Sequence, residues 1–126
     1  MRVILDTNVI IAAFAARGLC QSVFELCLDQ HEIIVSTHIL AEVKNNLRKK
    51  LKMPKQAIIQ VIFFLEDHST QMKPQTIPTP ICRDPADGKI LGLAKSAAPD
   101  FIITEDTDLL VLKEVESIPT KKPQEF

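Results

Sequence analysis

Three short runs, Val3-Ile4-Leu5, Ile33-Ile34-Val35 and Phe101-Ile102-Ile103, are apolar at every position, and the segments between them carry helical periodicity. A strand buried on both faces reads as a continuous apolar run, whereas a strand with one wet face alternates. Strands separated by helices, with no hairpin turn between them, pair in parallel. The expected fold class is therefore α/β, a parallel sheet with helices on both faces. The 126 residues suffice for one such unit, so residues 1–126 are read as a single domain. In sheets of this kind the reactive edge lies beyond the carboxyl ends of the strands.

After the first strand, Asp6-Thr7-Asn8 ends the apolar run and caps a helix reaching Ala16; Arg17-Gly18 separates it from a second helix over Leu19–Gln30. The second strand leads to a helix capped by Ser36 or Thr37, with Ile39, Leu40, Val43, Leu47 and Leu51 on its inner face. Pro54 suits the first position of a fourth helix, in which Ile58, Ile59, Ile62, Phe63 and Leu65 pack inward until Asp67-His68-Ser69 ends it. A weak third strand is expected near Met72. Four prolines between Lys73 and Pro85 exclude a regular element there. Asp84-Pro85-Ala86-Asp87 reads as the cap and acidic first turn of a helix to about Ala97, and Phe101–Thr104 as the fourth strand. A helical turn at Leu109-Leu110-Val111 and a last strand near Ser117-Ile118 follow.

The edge rule gathers the acids. Asp6 follows the first strand, Asp87 starts the helix after the proline-rich loop, and Asp106 and Asp108 follow the fourth strand. Glu42, in the second turn of its helix, can reach the same edge. Crowded carboxylates repel one another unless a cation neutralises them. Hard oxygen donors select Mg2+ or Mn2+, and such an ion stabilises the charge on a phosphate under attack. Phosphodiester hydrolysis is the implied reaction. Each acid also has a plainer role, as a helix cap or a solvated group; what joins them is their common position at strand ends.

The charges nearly balance, 15 Lys+Arg against 16 Asp+Glu, so no overall field announces a nucleic acid or a basic partner. Lys44, Arg48, Lys49, Lys50, Lys52 and Lys55 form one local basic segment, able to touch the phosphates of a substrate or simply to be solvated. Cys20, Cys27 and Cys82 make no CxxC pair, which fits packing thiols in a reducing cytoplasm. His31, His38 and His68 share no ligand spacing and receive no catalytic role. Asp6 interrupts any signal-peptide core and no apolar stretch is long enough to span a bilayer, so no membrane association is expected.

Four segments carry a resemblance: Leu5-Asp6-Thr7-Asn8-Val9, Leu40-Ala41-Glu42-Val43, Arg83-Asp84-Pro85-Ala86-Asp87-Gly88-Lys89-Ile90-Leu91 followed by Ala94, and Thr104-Glu105-Asp106-Thr107-Asp108-Leu109-Leu110. In order and separation they resemble the four acidic motifs of PIN-domain ribonucleases, most closely the toxin components of toxin-antitoxin systems. The Pro123-Gln124-Glu125-Phe126 tail is similar to theirs. The resemblance implies a PIN-like three-layer sandwich with a five-stranded parallel sheet in the order 3-2-1-4-5. It further implies a homodimeric, Mg2+- or Mn2+-dependent endoribonuclease acting on RNA and silenced by a small cognate antitoxin. Asp6, Glu42, Asp87 and Asp106 would be the catalytic acids, with Asp6, Asp87 and Asp106 on the metal. Asn8 and Thr104 would orient carboxylates by hydrogen bonding. Arg83 and Lys89 would contact phosphate.

Two departures leave alternatives open: Asp84 competes with Asp87 as ligand, Asp108 with Asp106, and Leu109 stands where many toxins have an aromatic residue. Two other classes compete. A phosphoacceptor domain also places an Asp after its first strand, but the phosphatase type needs a second Asp where this chain has Asn8, and the receiver type needs an Asp where it has Gln71-Met72-Lys73. A PIN-like protein-interaction scaffold without activity would not need the full set of acids.

Overall fold

A computed structural model of the chain describes residues 1–15, 18–73, 92–94, 96–105, 114–115 and 118–125. Among the described residues six strands form one sheet: β1 (Arg2–Leu5), β2 (Glu32–Val35), β3 (Ser69–Gln71), β4 (Phe101–Ile103), β5 (Glu114–Val115) and β6 (Ile118–Lys121). Their order is β3-β2-β1-β4-β6-β5. The first five positions are all parallel and reproduce the expected 3-2-1-4-5 arrangement, with β6 as its fifth strand. The two-residue β5 adds an antiparallel edge that the sequence reading lacked.

The centre of the sheet is dry. Successive strand residues point to opposite faces, yet Val3, Ile4 and Leu5 are all 0% exposed, so both faces of β1 are covered. Register pairs Ile4 with Ile34 on one side and Ile102 on the other, a layer of β-branched side chains suited to the pleat. Among the described residues the connecting and covering helices are α1 (Thr7–Ala15), α2 (Leu19–Gln30), α3 (Thr37–Lys49) and α4 (Lys55–His68). Residues 92–94 and 96–97 are also helical, and Ala98 N–H donates to the Ala94 carbonyl at 2.9 Å as this segment ends.

Several local expectations shift. The third strand lies at Ser69–Gln71, just before Met72, and the last strand, expected near Ser117-Ile118, runs over Ile118–Lys121. Pro54 is the N-cap of α4, not its first residue. Leu51 lies beyond α3 and is 40% exposed. On α4 only Ile58 and Leu65 are buried, while Ile59 and Phe63 face outward. At 3.6 residues per turn, Ile58, Ile62 and Leu65 line one face, whereas Ile59 and Phe63 are rotated about 100° and 140° from it. Among the described residues no single helix is long and apolar enough to cross a membrane.

Candidate active site at the carboxyl edge of the sheet

Asp6 stands where β1 becomes α1, and the backbone fixes it from both sides. Its N–H donates to the Ile103 carbonyl of β4 at 2.9 Å, while its carbonyl accepts from Val9 and Ile10 N–H at 3.0 and 3.2 Å. The residue is thus the last rung of the sheet and the N-cap of the helix. Its side chain is 9% exposed, and each carboxylate oxygen has a donor: Oδ1 accepts from Thr7 N–H at 2.8 Å and Oδ2 from the Thr104 hydroxyl at 2.7 Å. Hydrogen bonds to an ionised acceptor are short and strong, so the carboxylate is held in one orientation.

Thr104 arrives from the far end of the chain. It follows β4, is 0% exposed, and its N–H donates to the Lys121 carbonyl of β6 at 2.9 Å. Adjacent parallel strands therefore deliver Asp6 and Thr104 to one edge, as the position rule requires.

Glu42 reaches that edge from α3. Ser36 starts the helix, its fully buried Oγ accepting from Ile39 N–H at 3.1 Å, and Glu42 follows in the second turn. The Thr7 hydroxyl donates to Glu42 Oε1 at 3.2 Å. Thr7 consequently bridges the two acids, its N–H on Asp6 and its hydroxyl on Glu42. His38, one turn before Glu42, places Nε2 3.1 Å from the same Oε1. That separation is an ion-pair distance, but the alignment is not that of a hydrogen bond, and Nε2 has no other partner among the described residues. Glu42 Oε2 makes no hydrogen bond among the described residues.

The structure thus brings together Asp6, Thr104 and Glu42. Asn8 is exposed on α1 and makes no side-chain hydrogen bond among the described residues. Asp84, Asp87, Asp106, Asp108, Arg83 and Lys89 lie outside the described residues, and so does the helical turn at Leu109–Val111. Among the described residues no three His, Cys, Asp or Glu side chains group as a metal site. Sequence reasoning missed Thr7 and His38. The i, i+4 spacing of His38 and Glu42 on a helix was the available signal for the second; for Thr7, no signal precedes knowing that α3 packs beside α1.

The sequence matches the PIN domain family across residues 2–108, a span that includes Asp6, Glu42, Asp84, Asp87, Asp106 and Asp108. A search of curated protein sequences finds no match. Among solved structures the fold is similar to a chain of VapBC2 from Rickettsia felis, crystallised bound to a DNA fragment from its promoter. That likeness has a TM-score of 0.67 and 14% identity over 97% of this chain and 98% of that one. It is also similar to a chain of FitAcB from Neisseria gonorrhoeae, with a TM-score of 0.58 and 17% identity over 98% and 99% of the two chains.

Proposed function

The chain belongs to the PIN domain family, and from that premise we propose that it is a metal-dependent endoribonuclease, the cytoplasmic toxin of a toxin-antitoxin pair. The observation that carries this reading is the Asp6 carboxylate, nearly buried at the carboxyl end of the central strand, fixed by two donors and linked through Thr7 to Glu42. A buried carboxylate is costly, and a plain helix cap does not need a second donor from a residue 98 positions away.

The donor set fits a hard divalent ion, because every candidate ligand is a carboxylate oxygen. Asp6 would hold Mg2+ or Mn2+ together with Asp87 and Asp106, with Asp84 and Asp108 as the alternative ligands. When bound, the ion offsets the charge that builds on the scissile phosphate and acidifies the attacking water. The chain's own residues do the positioning. Thr104 and the Thr7 N–H keep Asp6 in one rotamer, and the Thr7 hydroxyl holds Glu42 Oε1. This leaves Glu42 Oε2 to accept a proton from the attacking water.

Mixed-sequence single-stranded RNA, incubated with the protein in EDTA and then with Mn2+ added back, tests the proposal. Cleavage is expected only with metal, and Asp6→Asn lowers the rate by at least about 100-fold, the usual scale for losing a main electrostatic group. Undiminished cleavage in EDTA would sink the mechanism, and no cleavage under any metal would return the chain to the scaffold reading. The two similar chains come from assemblies named VapBC2 and FitAcB, which supports a small protein partner here. A homodimer bound to an antitoxin should therefore co-purify from the native cell, and free monomer alone would count against the toxin assignment.

A further inference from the structure

Between Val43 and Leu65 the chain has six cations, Lys44, Arg48, Lys49, Lys50, Lys52 and Lys55, and no acid, while the other nine Lys and Arg face all sixteen Asp and Glu. The fold gives half of these cations a shape. Lys44 and Arg48, one turn apart on α3, and Lys55 at the start of α4 rim a groove of about 620 Å³ whose floor is Ala41, Met53, Ile58 and Ile59. The connection between the helices is tight: Lys52 adopts φ 51°, in the left-handed region, and Met53 N–H donates to the Leu47 carbonyl at 3.0 Å. The Arg48 guanidinium is steered at the rim by Asn45, whose Oδ1 accepts from Nη2 at 3.3 Å. None of the three rim cations pairs with an acid among the described residues.

We propose that this groove between α3 and α4 binds the phosphate backbone of single-stranded RNA and guides it to the Asp6–Glu42 edge, an inference that rests on the ribonuclease reading above. The groove starts level with the site along α3, because Ala41 of its lining precedes Glu42 by one residue; Lys44 and Arg48 are turned about 160° and 120° around the helix from Glu42, so a strand held in the groove reaches the site by crossing the start of α3. The site itself is acidic and repels a polyanion, so attraction must come from beside it. An acidic protein segment is the other chemistry that complements such a rim. A stable protein interface buries about 800 Å² on each partner, whereas the apolar part of this lining is four side chains, Ala41, Met53, Ile58 and Ile59. Phosphate binding needs no such area: it is driven by release of counterions from the nucleic acid, one increment for each phosphate neutralised. The aliphatic floor then serves as the bed for the lysine stems, with their ammonium heads at the rim.

The test is the salt dependence of binding of a labelled single-stranded RNA, read by fluorescence anisotropy in EDTA so that nothing is cleaved. Each phosphate contact on a single strand contributes a slope of about −0.7 in log K against log salt. The variant Lys44→Gln/Arg48→Gln/Lys55→Gln should lose about 2 from the wild-type slope and, with affinity equal at 1 M salt, bind about 100-fold more weakly at 0.1 M. A control with the same charge change outside the groove, Lys49→Gln/Lys50→Gln/Lys73→Gln, should stay near wild type. Equal losses in both variants, or none in either, would overturn the groove assignment, and if wild type still cleaves RNA the ribonuclease reading stands. A Glu-rich amphipathic helical peptide that binds wild type but not the groove variant, with RNA binding unchanged, would assign the groove to a protein partner and overturn the proposal. Wild type that neither binds nor cleaves RNA would remove the ribonuclease reading and this inference together.

Discussion

Replacing Thr104 with Val removes one hydroxyl and little volume from a residue that is 0% exposed. The hydroxyl donates to Asp6 Oδ2 at 2.7 Å, and a hydrogen bond to a charged group contributes about 1.5–3 kcal/mol. Asp6 retains the Thr7 N–H on its other oxygen and is 9% exposed, so water recovers part of the loss. The expected cost is about 2 kcal/mol, or a melting temperature lower by about 5–8 °C in a domain of this size. Thr104→Ser separates the hydroxyl from the methyl. It keeps the donor and forfeits one buried methyl group, at about 1 kcal/mol. Thermal melts should thus rank wild type above Thr104→Ser and Thr104→Ser above Thr104→Val. If Val were as stable as Ser, or more so, the hydroxyl would be a passenger and Asp6 would not be fixed in the way described.

The remaining predictions concern other parts of the molecule. In the RNA cleavage assay Asp87→Asn should be more damaging than Asp84→Asn, and the reverse order would exchange their assignments. The Cys27 thiol is completely buried and burial pushes it up to about 11, so iodoacetamide near neutral pH should leave it unmodified in the folded protein; mass spectrometry showing ready alkylation would contradict the packing. Glu32 accepts from the Thr70 hydroxyl at 2.9 Å and from Arg2 Nε at 3.2 Å, and these partners, Thr70 foremost, hold its carboxyl below the usual range. A depressed folded-state pKa stabilises above the unfolded carboxylate pKa and ceases to as pH falls through the folded one. Glu32→Gln should therefore melt below wild type near neutral pH and converge with it in acid; a gap independent of pH would refute the assignment.

What could be read from the chain follows where burial leaves its mark. β1, β2 and β4 are legible because their two covered faces make continuous apolar runs, and α2 has the expected bounds, Leu19–Gln30. β3 is a different case: Ser69-Thr70-Gln71 is an edge strand with two of its three residues exposed, so register with β2 defines it and hydrophobicity does not. β5 is two residues long and exists through its pairing with β6. On α4, Phe63 misled because a large apolar side chain reads as core, yet its helical phase turns it outward to 67% exposure. Asp6 and Glu42 could be singled out as strand-edge acids, whereas the Thr7 bridge between them depends on how α1 and α3 pack, which no local pattern encodes.

The link between Asp6 and Thr104 also sets when the pocket can exist. The two residues are separated by 98 positions, and Thr104 is itself fastened by Lys121 of β6. At a synthesis rate of about 5–20 residues per second, about 5–20 s pass between the addition of Asp6 and that of Thr104. β1, α1, β2 and α3 can gather in that interval, but the carboxylate stays without its second donor until β4 has left the ribosome and slotted beside β1. The emerging chain carries Asp6 and Glu42 in an unassembled state for that interval, so the order of synthesis acts as a timer on the finished site.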